Sequence, residues 1–141
     1  MKRTFTYLLS LGATLVAVTA SATTFSITRI ALTFDETKPP AIVERGSEIG
    51  VQAEISFSGN GLLKAVWEVA GPNPDANNPQ YRTLANVNQF MVGKDTGYIK
   101  GPRLPTESTG PYIVRLRILD PVPSGFETPV GTYNVIEKKT K

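Results

Sequence analysis

The chain has 141 residues, with 15 Lys and Arg against 12 Asp and Glu for a formal charge of +3, and it contains no His and no Cys. Their absence excludes Ser-His-Asp and Cys-His nucleophilic sites, thiolate or imidazole zinc sites, and disulfide bridges. Its 11 Pro and 12 Gly fall mainly between short apolar runs, which points to strands and turns rather than helices.

The first segment, MKRTFTYLLSLGATLVAVTASA, has the three-part layout of an export signal. Lys2 and Arg3 give a positive start, residues 7–18 are mostly apolar and uncharged, and Ala20-Ser21-Ala22 is a small-x-small cleavage signal. The apolar run falls short of the roughly 20 residues that a spanning helix needs. A signal peptide over 1–22 is therefore expected, with cleavage near Ala22, a periplasmic or secreted product and no transmembrane segment afterwards. An exported chain that folds without disulfides fits a bacterial envelope. Lys2 and Arg3 leave with the signal, so 13 basic side chains face 12 acidic ones. Three of the 13 are Lys138, Lys139 and Lys141, in a basic tail at 138–141. The remaining body is close to neutral and lacks the concentrated basic field of a nucleic-acid binder. Residues 23–137 are expected to form one domain, long enough to bury its own core.

The first apolar run is FSITRIALTF. Ile30, Leu32 and Phe34 alternate, while Phe25 and Ile27 have the opposite parity, so a bulge near Thr28-Arg29 is predicted. ETKPPA breaks pairing, and Ala41–Glu44 reads as a short edge segment. In EIGVQAEISF, Ile49, Val51, Ala53, Ile55 and Phe57 alternate with small or polar residues, the clearest half-buried strand in the chain. SGNG at 58–61 signals a turn. In LLKAVWEV, Leu63, Ala65, Trp67 and Val69 share one face, and Lys64 and Glu68 mark the other.

AGPNPDANNPQ, residues 70–80, is a polar loop. QYRTLANVNQFMV, residues 80–92, fits two periods: Leu84, Val87 and Met91 have helical spacing, and Tyr81, Thr83, Ala85 and Val87 have strand spacing. Its β-branched and aromatic content favours two short strands or one bulged strand. GYIK is a short strand, GPRLPTESTGP a Pro-rich crossover, residues 111–119 a strand, DPVPSGFETP a loop, and VGTYNVIE the closing strand. About seven short strands with regular turn signals predict an all-β fold, an antiparallel two-sheet sandwich.

Two features point to a family. Trp67 stands in the third main strand, and Gly110-Pro111-Tyr112-Ile113-Val114 enters the penultimate one. The G-x-Y-x-apolar spacing resembles the tyrosine corner of immunoglobulin-like domains. Residues 25–136 look like an Ig-like or fibronectin III-like β-sandwich module of exported bacterial envelope proteins, whose function is unassigned. The resemblance implies that Trp67 is a core residue and that Gly110 and Tyr112 form the corner. It also implies that Val114 and Ala53 replace the disulfide of antibody domains. In such a sandwich the second and third strands belong to different sheets, so SGNG would be a corner between sheets.

The sites follow from parity. Arg115 and Arg117 alternate with the apolar face of their strand. If the third and penultimate strands pair, Lys64, Val66 and Glu68 become their neighbours. Any such strand shows a solvated polar face. Lys64, Val66, Glu68, Ile113, Arg115 and Arg117 nevertheless mix arginine with apolar side chains, which is interface composition. Tyr81, Tyr98 and Phe126 form an alternative platform for stacking sugars. The scattered acids include no pair held as acid–base work at a glycosidic bond requires. Asp75, Asn77 and Asn78 supply too few carboxylates for calcium and read as turn formers. No enzyme activity and no cofactor are expected. The expected function is a non-catalytic module that contacts another protein of a cell-envelope assembly. The alternative is a carbohydrate-binding module using surface aromatics.

Overall fold

Burial alternates along β3 (Gly50–Ser58), where Val51, Ala53, Ile55 and Phe57 point inward and the residues between them outward. A slip of one residue would turn all four into water, at roughly 1.5–3 kcal/mol for each large side chain, so the pattern pins the register. The computed structural model describes residues 24–35, 38–93, 95–123 and 125–139. The expected signal peptide and the last two residues of the basic tail lie outside them.

Seven further strands are described: β1 (Ser26–Phe34), β2 (Ala41–Glu44), β4 (Gly61–Ala70), β5 (Arg82–Met91), β6 (Thr96–Arg103), β7 (Gly110–Asp120) and β8 (Val130–Ile136). They form a three-stranded sheet, β1-β3-β6, and a five-stranded sheet, β2-β8-β7-β4-β5. Only β2 runs parallel to its neighbour, β8. In immunoglobulin lettering, β1, β3 and β6 take places A, B and E, and β4, β7 and β8 take C, F and G. β5 flanks C, where a constant-type domain has a strand beside E. The fold is an Ig-like β-sandwich. No helix among the described residues is long and apolar enough to cross a membrane.

β1 is bulged between Ile27 and Arg29, which lets Ile27 and Ile30 both face inward. Ser58-Gly59-Asn60-Gly61 carries the chain from one sheet to the other, so it is a corner and not a hairpin. Residues 82–91 are one bulged strand: Trp67 pairs with Ala85 and Glu68 with Thr83, leaving Leu84 over. The core takes Trp67, Leu63, Val69, Val114 and Leu116 from the large sheet and Ile30, Phe34, Ala53, Ile55 and Ile99 from the small one.

The crossover from β6 to β7 is fastened to the turn before β3. Thr106 Oγ1 donates to Ser47 O at 2.6 Å, Gly46 N to Thr106 O at 3.0 Å, and Leu104 N to Ile49 O at 3.0 Å. Thr106 is itself buried, so these bonds satisfy groups that would otherwise be desolvated without partners.

Candidate interaction surface

β4 runs through the large sheet between β7 and β5. Its inward residues enter the core, and its outward residues are Lys64, Val66, Glu68 and Ala70. The β4–β7 register sets Val66 opposite Arg117, Glu68 opposite Arg115 and Ala70 opposite Ile113. Lys64, Val66, Glu68, Ile113, Arg115 and Arg117 therefore lie together on one outer face.

That face is less wet than parity alone suggests. Val66 is 3% exposed and Glu68 7%. Glu68 is covered because both arginines reach across to it. Arg115 Nε donates to Glu68 Oε1 at 3.0 Å, and Arg117 Nε donates to the same oxygen at 2.9 Å. Arg117 Nη2 reaches Oε2 at 3.4 Å. Tyr81 caps the group, with its ring centroid 3.7 Å from Arg115 Cζ, a cation–π contact. Burial on its own would raise the Glu68 pKa. The hydrogen bonds from Arg117 and Arg115, together with their charges, outweigh burial and hold the carboxyl below its usual range. Glu68 in turn raises the pKa of Arg117. Two fixed guanidinium groups on one carboxylate leave a net positive charge at the centre of the face.

Exposed apolar side chains also fall mainly on the large sheet. Eight large apolar side chains are exposed among the described residues: Ile42, Leu62, Phe90, Val92, Tyr98, Leu119, Val122 and Val130. Ile42, Leu62, Phe90, Leu119 and Val130 sit on strands of the large sheet, and Val92 and Val122 on the loops that leave β5 and β7. Leu62 stands directly opposite Phe90, and Val130 directly opposite Arg115. Only Tyr98 belongs to the small sheet. Leu62 shares the parity of Lys64, Val66 and Glu68, a signal present in the sequence, whereas Phe90 lies beyond the bulge that obscures parity in β5.

The three aromatics of the sugar platform are not brought together. Tyr81 lies on the large sheet against Arg115. Tyr98 stands opposite Glu54 on the outer face of the small sheet. Phe126 packs against the core from the loop before β8. Stacking on one glycan needs rings on one side of the molecule, and these occupy opposite sides. Trp67 is fully buried, and its Nε1 has no hydrogen-bond partner among the described residues. Gly110 has φ +127°, and Tyr112 Oη donates to Ser108 O at 2.9 Å. Asp75 Oδ1 accepts the N–H of Asn77 at 2.9 Å, closing an Asx turn. Among the described residues no group of three or more His, Cys, Asp or Glu is placed to hold a metal ion.

No family model matches the chain. No curated protein matches it. Among solved structures it is similar to the CARDB domain of a Pyrococcus furiosus protein, solved in complex with di-metal ions. The TM-score is 0.53 at 11% identity, covering 82% of this chain and 99% of that one. At that identity the likeness extends to the β-sandwich fold and no further.

Proposed function

We propose that this protein is a non-catalytic module, exported to the periplasm or the medium, that docks on another protein of a bacterial cell-envelope assembly through the outer face of its large sheet. The observation that carries this reading is the asymmetry of exposed apolar surface: among the described residues, seven of eight exposed large apolar side chains belong to that sheet or to the loops leaving its strands. A soluble domain scatters such residues, and their concentration on one sheet supports a contact surface there. The Arg115–Glu68–Arg117 cluster adds a polar centre whose side chains are already held in place. Docking then loses less side-chain entropy than it would with free arginines. Arginine and aromatic residues are also the types that anchor protein interfaces.

The test is capture from the envelope fraction of the source cell, with the tagged native chain as bait. Leu119→Asp and the pair Leu62→Ser with Phe90→Ser keep the fold, since all three residues are exposed. Each variant is expected to lose a partner that the native bait retains. Native bait that retains nothing specific, or a partner retained equally by both variants, sinks the proposal.

A further inference from the structure

Each sheet ends in two strands with an open side: β1 and β6 in the small sheet, β2 and β5 in the large one. An open strand edge is a template for pairing with another chain, and proteins guard such edges. Three of the four are guarded. β2 has four residues and follows Pro39-Pro40. β6 carries Lys100, Pro102 and Arg103. β1 is broken by its bulge and carries Arg29 one residue from its middle, Ile30. β5 is different. It has ten residues, no Pro, and one charge, Arg82, at its first position. From Thr83 to Gly93 the chain has no charged residue. Like β1 it is bulged, at Leu84, but residues 85–91 beyond the bulge pair without interruption. β4 takes one side of its backbone, and no described strand takes the other.

We infer that β5 is the seam of a homodimer, in which two copies pair antiparallel about a two-fold axis near Val87 and join their large sheets into one continuous sheet. The occupant is a second copy because β5 suits its own reverse. With the axis at Val87, Asn86 of one copy stands opposite Asn88 of the other. Each amide both donates and accepts, so these pairs match with no fixed charge. The two Arg82 side chains fall at opposite ends of the seam, roughly 30 Å apart at ~3.3 Å per residue. That separation is several Debye lengths at physiological salt. β1 reversed about Ile30 would instead bring two Arg29 side chains within two residues of each other. The seam also lies beside Phe90 and Leu62, so pairing gathers exposed apolar surface from both copies on one side.

Sedimentation velocity of the purified chain over a concentration series tests this. A small edge contact of this kind is expected to be half-assembled on the order of 10–100 µM. N86K with N88K sets like charges opposite each other across the seam. It is expected to weaken association roughly tenfold or more with the melting temperature unchanged, because both positions are exposed. The chain has no Cys, so Val87→Cys can bridge only to another copy. Paired Cα atoms about 4.5–5.5 Å apart are within disulfide reach. Oxidation is expected to give a covalent dimer at position 87 and none with Arg29→Cys on β1. If Val87→Cys fails to fold, Asn86→Cys with Asn88→Cys asks the same question from exposed positions. A monomer at every concentration, a dimer indifferent to N86K with N88K, or equal bridging from 87 and 29 overturns the inference. Leu119→Asp, on β7 and separated from β5 by β4, leaves the dimer intact, so the docking face and the seam are tested separately.

Discussion

Tyr112 and Tyr133 lie face to face, with ring centroids 4.9 Å apart and planes 4° from parallel. Their hydroxyls hold the same crossover: Tyr112 Oη donates to Ser108 O and Tyr133 Oη to Pro105 O, each at 2.9 Å. The β7–β8 register places the two residues directly opposite each other. Phe34 meets the edge of the Tyr133 ring from β1. The corner is therefore a pair of tyrosines, both buried in the core, that hold the crossover from the β7–β8 side. Burial first, and Tyr112 second, push the Tyr133 phenol well above its ordinary value, with Arg82 opposing them. The hydroxyl thus stays protonated and remains a donor.

From this pairing, Tyr112→Phe and Tyr133→Phe are each expected to lower stability by about 1 kcal/mol, the usual net worth of one hydrogen bond. The denaturant midpoint falls, and partner capture stays unchanged, because both rings face the core and not the docking face. Urea titration of the two variants checks this. A midpoint equal to that of the native chain would show that the hydroxyls contribute nothing.

Glu68 makes stability depend on acid. Its folded-state pKa lies below its ordinary value of 4.5. A carboxylate depressed in this way contributes stability that is complete above the unfolded value and is lost as pH falls through the folded one. The native chain is therefore expected to exceed Glu68→Gln by a constant margin at neutral pH. That margin should shrink from about pH 4.5 downward. Paired urea midpoints across that range measure it. A margin that grows as acid is added would contradict the sign.

Tyr81→Ala removes the ring over Arg115. The expected loss is about 0.5–1 kcal/mol, the range for a partly exposed cation–π contact. Arg115 keeps its bond to Glu68, so the pH profile should hold its shape while the whole curve drops. A changed acid limb with an unchanged midpoint at neutral pH would mean that Tyr81 acts on Glu68 and not on Arg115.

What the sequence makes legible depends on what decides each feature. Alternation in β3 and the change of parity at Thr28 are local, and both are present in the fold. The Gly110–Tyr112 spacing is local as well. Residues 80–92 were ambiguous because the bulge at Leu84 turns strand parity into a false helical spacing of Leu84, Val87 and Met91. Parity distinguishes inner from outer but not wet from dry: Glu68 is outward and still buried, because its cover comes from β7, some fifty positions away. Ala41–Glu44 reads as an edge segment, but its parallel pairing with β8 joins segments about ninety residues apart that carry no shared local signal. Tyr81 is legible as an aromatic, while its place over Arg115 follows from the β4–β5 and β4–β7 registers together.

The corner also constrains a glycine. Gly71 has φ +140°, and a Cβ there would meet Tyr112 Cδ1 at 2.6 Å and Pro111 O at 3.0 Å. Gly46 has φ +82° and nothing within 4 Å of its would-be Cβ. Alanine at Gly46 meets only backbone strain, so about 1 kcal/mol is expected. Alanine at Gly71 adds a clash with a ring that is stacked on Tyr133 and cannot swing aside, so roughly 3 kcal/mol or more is expected. The neighbouring bond from Asn73 N to Pro111 O, 2.9 Å long, lies on the path of any relief. Melting temperatures of the two variants separate the contributions: equal losses would mean that the Tyr112 ring yields, and a much larger loss at Gly71 means that the tyrosine pair is rigid.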